Sequence, residues 1–250
     1  MTTESTLHHC ARPDGLRLAC HYREGRGPAI IFLPGYMSDM EGSKALAIDR
    51  WAMEQGRAML RLDYAGCGAS EGVFTDGTLT SWRDDARFLI DCFVPGELIL
   101  VGSSMGGWIA LLLALELGAR VRGVIGVAAA PDFTQWGFTD AQKMVIQAEG
   151  QLREPSDYSD EPYVTTRAFW ESGQANLLLA NPLSSPLTIE GPVRLLQGQC
   201  DPDVPWLTAL NLARRIGSAD VQTLLIKDGD HRLSRPQDLA LLIRTLAALP

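Results

Sequence analysis

Short apolar runs alternate along this chain with longer segments that have the periodicity of an α-helix. Strands buried on both faces consist of such apolar runs, and the alternation is typical of βαβ units. It therefore predicts a mostly parallel sheet flanked by helices. The expected strands are residues 29–33, 58–62, 98–101, 121–128, 193–196 and 221–226, and the turn sequence Pro13-Asp14-Gly15 predicts an antiparallel hairpin ahead of them.

Glycines and a capping sequence indicate where several of the intervening helices should end or begin. Gly56, Gly118 and Gly217 each follow an apolar-periodic run, at the position where a helix often ends in a left-handed residue. Ser234, with Gln237 three residues later, has the spacing of a capping box. We expect the last helix to begin there and to pack on the sheet.

One interval is too long for a simple crossover, since about sixty residues separate the strand ending near residue 130 from the next strand. Residues 131–191 contain nine acidic against three basic side chains, and seven aromatic rings. We predict a single α/β domain over residues 1–250, with residues 131–191 as a helical lid or cap. The rings would then cover an apolar pocket, or would form the small core of the insertion itself.

The composition excludes several classes of protein. Thirty acidic against 22 basic residues give a net charge of −8, which does not supply the basic surface of a nucleic-acid-binding protein. Residues 1–14 contain no apolar signal segment, and residues 108–117, the most apolar stretch, are too few to cross a bilayer. The five scattered cysteines argue against a zinc site and a disulfide framework. We expect a soluble cytoplasmic protein with reduced thiols and no metal.

The segment around Ser104 carries the strongest chemical signal. A predicted strand ends in Gly-x-Ser-x-Gly, and an apolar helical run follows at once. This context predicts a nucleophile elbow, a turn so tight that Gly102 and Gly106 must lack side chains. Ser104 is therefore the candidate nucleophile, and Ser103 is interpreted as structural.

A serine hydroxyl needs a base within hydrogen-bonding reach, and His231 is the only histidine that follows Ser104. The other three histidines precede the first core strand. His231 lies in a polar loop after the last predicted strand, where the order nucleophile, acid, base of this elbow-bearing fold places the base. We therefore predict that His231 is the base.

The acid that orients the base has several candidates. Asp201 follows the strand predicted at residues 193–196 and is the preferred choice. Asp203 lies closer to the next helix and fits turn or cap chemistry, whereas Asp132 follows the preceding strand, the other position at which such an acid occurs. Asp228 and Asp230 are too near His231 in sequence to orient it easily. Asp132 and Asp203 stay open as alternatives.

An acyl-transfer site also needs two N–H donors for the oxyanion. Met105, which follows the nucleophile, should supply one, and Tyr36, after the first core strand and next to Gly35, should supply the other. Trp136 and Phe138 of the insertion, and Trp206 after the acid loop, are candidate substrate-binding residues. All of these assignments depend on Ser104 being the nucleophile.

The glycine-rich segment at residues 63–72 could be mistaken for a phosphate-binding loop. It lacks the Gly-Lys-Ser/Thr of a nucleotide site, and no helix begins at its third glycine. A structural turn is the better interpretation, and no cofactor is expected.

Several motifs together resemble one group of α/β hydrolases, the palmitoyl-protein thioesterase and mycophenolic acid acyl-glucuronide esterase group of abhydrolase-domain proteins. They are Pro34-Gly35-Tyr36, Gly42-Ser43-Lys44-Ala45-Leu46-Ala47, Asp63-Tyr64-x-Gly66-x-Gly68-x-Ser70, Gly102-Ser103-Ser104-x-Gly106-Gly107-Trp108, Asp201-x-x-Val204-Pro205-Trp206 and Asp230-His231-Arg232. The resemblance extends from about residue 29 to residue 242. It implies an α/β-hydrolase fold with Ser104, Asp201 and His231 as nucleophile, acid and base. Animal members carry a mitochondrial presequence, which we do not expect here.

We therefore expect a cofactor-free carboxylesterase or thioesterase that works through an acyl-enzyme intermediate on a small acyl substrate. The acidic insertion should repel polyanionic substrates and favour neutral esters or S-acyl cysteines. The alternative is a non-catalytic member of the fold that binds a ligand or partner protein. Such proteins usually lack one of the three catalytic residues, and all three are present here.

Overall fold

The computed structural model describes residues 5–155, 162–180 and 186–250, and this part of the chain contains ten β-strands. In chain order they are β1 (Thr6–Ala11), β2 (Arg17–Arg23), β3 (Arg26–Leu33), β4 (Arg57–Leu62), β5 (Leu98–Ser103), β6 (Val121–Val127), β7 (Gln151–Glu154), β8 (Tyr163–Thr166), β9 (Val193–Gly198) and β10 (Val221–Ile226). The six runs predicted as strands correspond to β3, β4, β5, β6, β9 and β10.

Eight of these strands form one sheet, in the order β1-β2-β4-β3-β5-β6-β9-β10. The strands from β4 to β10 in this order are parallel to one another. The predicted hairpin joins β1 to β2, and β2 runs antiparallel to β4. The predicted mostly parallel sheet is therefore confirmed, with the hairpin as its antiparallel edge.

Helices cover both faces of the sheet. In chain order they are α1 (Ser43–Gln55), α2 (Leu79–Phe93), α3 (Met105–Leu117), α4 (Phe133–Trp136), α5 (Asp140–Glu149), α6 (Arg167–Ala175), α7 (Leu207–Arg215) and α8 (Pro236–Ala247). Buried residues of α1 and α8 pack on one face, and those of α2, α3 and α7 pack on the other. Within the described ranges, none of the helices is long and apolar enough to cross a membrane.

The two faces of β3 show why its run from Ala29 to Leu33 is apolar. Ile30 and Phe32 contribute to the core under α1 and α8, whereas Ile31 and Leu33 contribute to the core under α2 and α3. Successive side chains of a strand point to opposite faces, so a strand covered on both sides needs an unbroken apolar run. Each such fully buried Leu or Ile stabilises the fold by about 1.5–3 kcal/mol relative to an exposed one.

Helices end at or near all three predicted glycines, but only Gly56 has the left-handed conformation expected there. Gly56 ends α1 with φ 63° and ψ 32°, whereas Gly118, which follows α3, has φ 52° and ψ −123°. Helix α7 ends at Arg215 with Ile216 as its C-cap, and Gly217 does not have a positive φ; its N–H donates to the carbonyl of Leu187 at 2.8 Å.

The predicted capping box at Ser234 is wrong. Helix α8 begins at Pro236, and the carboxylate of Asp238 accepts a hydrogen bond from the backbone N–H of Arg235. Proline is favoured in the first turn because its missing N–H has no partner there. The hydroxyl of Ser234 donates instead to the carbonyl of Arg232, in the loop that carries His231.

The insertion between β6 and β9 is less helical than predicted. It contains α4, α5 and α6, but also β7 and β8, which pair as an antiparallel hairpin. Residues 156–161, including the aromatic Tyr158, and residues 181–185 lie outside the described part of the chain. Among the described rings, Trp136 and Phe138 line a cavity, and Phe169 is buried in the main core rather than in a separate core of the insertion.

Candidate active site

Ser104 lies in the turn between β5 and α3, with backbone angles φ 54° and ψ −119°. A non-glycine residue with positive φ is strained, and such strain persists only where the surrounding structure imposes it. A Cβ atom on Gly102 would lie 2.1 Å from the carbonyl oxygen of Gly106, and one on Gly106 would lie 2.1 Å from that of Leu33. Both glycines are therefore required for the close approach that exposes the hydroxyl of Ser104.

Three loops at the carboxyl ends of β5, β9 and β10 bring Ser104, Asp201 and His231 together. Nε2 of His231 lies 3.2 Å from Oγ of Ser104, and Nδ1 of the same ring lies 2.9 Å from Oδ2 of Asp201. Parallel strands end at the same edge of a sheet, which is why residues far apart in sequence meet there. The three side chains form a continuous hydrogen-bonded chain, and the hydroxyl and the ring line a cavity.

The carboxylate of Asp201 is shielded from solvent and fully hydrogen bonded. Oδ1 accepts the backbone N–H groups of Asp203 and Val204, each at 2.9 Å. Oδ2 accepts the side-chain amide of Gln197 at 2.8 Å as well as the bond to His231. Burial by itself raises the pKa of Asp201, but the hydrogen bond and charge of His231 and the two N–H groups outweigh it and lower the pKa. The group is held as a carboxylate.

The rival acid Asp132 has a different function in the structure. Its side chain is buried and accepts the backbone N–H groups of Leu178, Leu179 and Ala180 at 2.6–2.9 Å. It has left-handed backbone angles at the start of the insertion, with φ 61°. Asp132 thus joins the two ends of the insertion and is not placed against His231.

Asp203 lies near the site without taking the position of the acid. Ligand atoms of Asp201, Asp203 and His231 lie within 4.8 Å of one another, a grouping that could hold a metal ion. However, Asp201 and His231 are bonded to each other through Oδ2 and Nδ1, and Asp203 is exposed to solvent. The chemistry of this set is that of a hydrogen-bonded acid–base pair rather than of a converging metal site.

The backbone at Tyr36 and Met105 borders Ser104 on two sides. Met105 is the first residue of α3, so its N–H lies outside the hydrogen-bonding ladder of the helix. The loop after β3 passes close to the serine, because a Cβ atom on Gly35 would lie 3.4 Å from Cβ of Ser104. Gly35 and Tyr36 also line the cavity. The loop that contains Gly35 and Tyr36 and the first residue of α3 thus lie next to the candidate nucleophile.

The side chain of Tyr36 links this loop to the insertion, which the sequence did not indicate. Its hydroxyl donates to the carbonyl of Val164 in β8, and its ring contacts Phe133, Phe169 and Tyr163. Burial raises the pKa of the Tyr36 hydroxyl, which therefore stays protonated and acts as a donor.

The cavity at the site has a volume of about 610 Å³. Trp136 and Phe138 line it as predicted, together with Phe133 and Tyr163. Trp206 is not among the lining residues; it occupies the N-cap position of α7, and the acid loop contributes other residues to the lining. The structure thus brings two of the three predicted substrate-binding residues to the cavity.

The glycine-rich segment at residues 63–72 forms a structural turn. The buried carboxylate of Asp63 accepts the backbone N–H of Met40 at 2.7 Å and that of Ala69 at 2.8 Å. Gly68, with φ 50°, lies so close to it that a Cβ atom would be 2.1 Å from Oδ2. Burial raises the pKa of Asp63 above its ordinary value. The turn therefore braces the loop that carries Tyr36.

Comparisons with known proteins agree with this fold. Residues 30–241 match the α/β hydrolase family. The chain is 38% identical to human mitochondrial palmitoyl-protein thioesterase ABHD10 over 247 residues, which is 97% of this chain and 79% of that protein. A putative hydrolase from Agrobacterium vitis superposes with a TM-score of 0.91 at 40% identity, covering 98% of this chain and 99% of that one.

The mouse α/β hydrolase domain-containing protein 10 superposes similarly, with a TM-score of 0.89, 36% identity and coverage of 97% of both chains. Because the match covers nearly the whole of both chains, it is not confined to a short motif. From this agreement of sequence, fold and length, the chain belongs to the α/β-hydrolase family.

Proposed function

We propose that this protein hydrolyses carboxylic esters or thioesters through an acyl-enzyme intermediate formed on Ser104. The observation that carries the proposal is the continuous chain of hydrogen bonds from Ser104 through His231 to Asp201, which opens into the cavity. A neutral imidazole that donates through Nδ1 to a carboxylate presents Nε2 as an acceptor to the serine hydroxyl. This is the arrangement that an otherwise unreactive hydroxyl needs in order to attack a carbonyl carbon.

In the first half of the reaction, Oγ of Ser104 forms a bond to the acyl carbon while Nε2 of His231 takes the hydroxyl proton. The carbonyl oxygen becomes an oxyanion, which the N–H groups of Tyr36 and Met105 stabilise. Asp201 stabilises the imidazolium without accepting its proton. The tetrahedral adduct collapses, and the imidazolium gives its proton to the departing alcohol or thiol.

In the second half, water replaces the leaving group. Nε2 of His231 takes a proton from water as the water oxygen bonds to the acyl carbon. The second oxyanion collapses, the bond to Oγ of Ser104 breaks, and the imidazolium returns its proton to the serine oxygen. The products are a carboxylic acid and the free enzyme.

We place the acyl group of the substrate against the aromatic part of the cavity, formed by Phe133, Trp136, Phe138 and Tyr163. Apolar rings bind an apolar chain by removing both from water. The ABHD10 relatives are named palmitoyl-protein thioesterases, which supports thioesters with long acyl chains among the candidates. Esters and thioesters pass through the same type of oxyanion, so both belong to the proposed class.

Neutral substrates should be preferred over polyanionic ones. The cavity is lined by the carboxylates of Asp39, Glu154 and Asp203 and by the cations of Lys44 and Arg232, and the surrounding insertion is strongly acidic. Repulsion should lower kcat/KM for acyl-CoA relative to a matched p-nitrophenyl ester, most strongly at low ionic strength. An acyl-CoA preference that does not weaken at low salt would contradict this charge argument.

Replacing Ser104 with alanine tests the central proposal. The Ser104→Ala variant should lower kcat for a p-nitrophenyl ester by on the order of 10⁴- to 10⁶-fold. Labelling by a fluorophosphonate probe should disappear at the same time. The matched control is Ser218→Ala, in the loop between α7 and β10, which should keep both activities. Near-normal turnover by a folded Ser104→Ala variant would overturn the proposal and leave a ligand-binding function.

We also propose a reducing compartment, and the cytoplasm in particular, as the location of the protein. All five cysteines lie in the described part of the chain and are free thiols. Free thiols are typical of reducing compartments, although the human relative is named as mitochondrial. Fractionation of source cells followed by detection of the protein would test the location.

A further inference from the structure

Gln197 is a buried polar residue near the carboxyl end of β9, just before the loop that carries Asp201, and it takes no part in the proposed reaction steps. It lies in β9 with only 1% of its surface exposed. Its Nε2 atom lies 2.8 Å from Oδ2 of Asp201, the same oxygen that accepts the bond from Nδ1 of His231 at 2.9 Å. Two donors thus share the one carboxylate oxygen that faces the base.

The surrounding acceptors determine which way the amide of Gln197 points. Besides Asp201, the carbonyl oxygens of Gly198 and Val204 lie 3.4 Å and 3.3 Å from Nε2. An amide oxygen in that position would face three acceptors, so the NH₂ group must occupy it. Within the described part of the chain, Oε1 at the other end of the amide is buried and finds no donor.

An acceptor buried without a donor destabilises the folded state. The side chain therefore leaves one of its polar atoms unsatisfied while its NH₂ group contacts Asp201. An apolar side chain of similar size would avoid that destabilisation. The arrangement points to a function for the NH₂ group itself, beyond filling space in the core.

We propose that Gln197 is a positioning residue for the reaction: its amide holds Oδ2 of Asp201 towards His231 and moderates the negative charge that this oxygen presents to the ring. The inference rests on the proposed function, because it assigns Gln197 a role through the acid and the base. Gln197 itself does not line the cavity and does not touch the reacting atoms.

The amide should influence the pH dependence of catalysis. A hydrogen-bond donor stabilises the carboxylate and weakens its attraction for a proton on the neighbouring ring. Without the donor, the protonated ring is favoured, and catalysis requires the ring without its extra proton. Removal of the amide should therefore move the ascending limb of the kcat/KM profile to higher pH.

The other charged groups around the ring stay the same when Gln197 is replaced. Among the described residues they include Asp201 and Asp203 on the loop after β9, Asp230 and Arg232 beside His231 on its own loop, and Lys44 of α1, whose ammonium donates to the carbonyl of Arg232. A shift of the profile in the variant is then attributable to the missing amide.

The principal variant is Gln197→Met, which keeps an unbranched side chain of similar length without the amide. It should lower kcat by on the order of tenfold, the effect of one hydrogen bond to a charged group. The midpoint of the ascending limb should rise by roughly half a pH unit to one unit. Gln222→Leu, in neighbouring β10, is the control; Gln222 is exposed and contacts Asp220 at the surface, so its replacement should change neither quantity.

A double-mutant cycle separates positioning from a purely structural role. In an Asp201→Asn background, Gln197→Met should change kcat less than twofold, because the carboxylate through which the amide acts is gone. An unchanged pH midpoint, or the same tenfold loss in both backgrounds, would overturn the inference. If Gln197 acted only by donating a hydrogen bond to the carbonyl of Val204, Gln197→Met would lower kcat by the same factor in the wild-type and Asp201→Asn backgrounds.

A measurement on folded wild-type protein covers the case in which Gln197→Met does not fold. The side-chain amide protons of Gln197 should exchange slowly with solvent by NMR and should exchange faster in Asp201→Asn. Equal exchange in the two proteins would contradict the proposed bond. The Ser104→Ala experiment separates the two proposals. If Ser104→Ala lost turnover while Gln197→Met changed neither kcat nor the pH midpoint, the positioning role of Gln197 would be refuted and the hydrolase function would stand.

Discussion

The carboxylates of Asp132 and Asp201 follow strands β6 and β9, and replacing Asp201 with asparagine should abolish most of the activity, whereas the same change at Asp132 should leave it nearly unchanged. The carboxylate of Asp132 accepts hydrogen bonds from three backbone N–H groups near the end of the insertion, whereas that of Asp201 accepts a hydrogen bond from Nδ1 of His231. Asparagine is nearly the same size and tolerates the left-handed backbone at residue 132. The substitution therefore tests the carboxylate and leaves the packing almost unchanged.

The cost of Asp132→Asn can be worked from its contacts. Asparagine keeps one acceptor oxygen, so at least one of three bonds of 2.6–2.9 Å is lost and the remainder become neutral. Hydrogen bonds to a charged group contribute about 1.5–3 kcal/mol, against about 0.5–1.5 kcal/mol for neutral ones. Burial raises the pKa of Asp132, which offsets part of this loss. We expect destabilisation by about 2–4 kcal/mol, and a decrease in Tm of roughly 5–15 °C.

Activity should separate the two variants. Below its Tm, Asp132→Asn should keep kcat within about threefold of wild type, because Asp132 does not contact the site. Asp201→Asn should lower kcat by about 10⁴-fold, since an amide cannot stabilise the imidazolium and favours the wrong tautomer of His231. Thermal unfolding would measure the effect on stability, and p-nitrophenyl ester hydrolysis, assayed at about 25 °C where each variant is still folded, would measure the effect on kcat.

The reasoning would be refuted by the reverse result. If folded Asp132→Asn lost most of its turnover while Asp201→Asn stayed active, Asp132 would be the catalytic acid. If Asp132→Asn left the Tm unchanged, the three N–H bonds would contribute nothing to joining the ends of the insertion. Circular dichroism of each variant before the assay would show that both are folded.

Two further substitutions test the surroundings of the site. Burial lowers the pKa of Lys44 from 10.5 to about 8, so between these pH values the unfolded chain binds more protons than the folded one and the free energy of unfolding should rise with pH. Lys44→Met should lose this rise. An equal change in unfolding free energy between pH 8 and pH 10 in the variant and the wild type, measured by denaturant unfolding, would contradict the prediction. Tyr36→Phe leaves the buried carbonyl of Val164 without its donor and should destabilise the protein by about 1–3 kcal/mol in urea unfolding; an unchanged midpoint would show that this bond contributes nothing.

Local patterns were sufficient for the strands and the elbow. The run at residues 221–226 coincides with β10, and the other five predicted strands differ from the observed ones by a few residues at their ends. Hydrophobic periodicity reports burial on one or both faces of an element, so it is a property of neighbouring residues. The turn at Ser104 was also predictable from its local pattern, because Gly102 is required by its contact with Gly106, although the contact that requires Gly106 itself is with the distant Leu33.

Helix ends and the insertion were predicted less well, because their determinants compete locally. Gly217 and Ser234 have the composition of a helix stop and a helix cap, but Gly217 packs against the distant Leu187, and the hydroxyl of Ser234 bonds to the carbonyl of Arg232 two residues earlier. Four-residue strands such as β7 and β8 carry too short a pattern to be distinguished from helix or loop.

The sequence by itself determined the alternation of strands and helices, the strained turn that presents Ser104, and the single histidine that follows it. Only the tertiary structure decided which carboxylate meets that histidine: Asp201 and His231 are 30 residues apart, whereas Asp132 is bonded to residues 46 to 48 positions further along. It alone also placed Gln197 on Asp201 and the hydroxyl of Tyr36 on β8. Such pairings depend on where distant loops converge at the edge of the sheet, and a periodic pattern of neighbouring residues carries no record of that convergence.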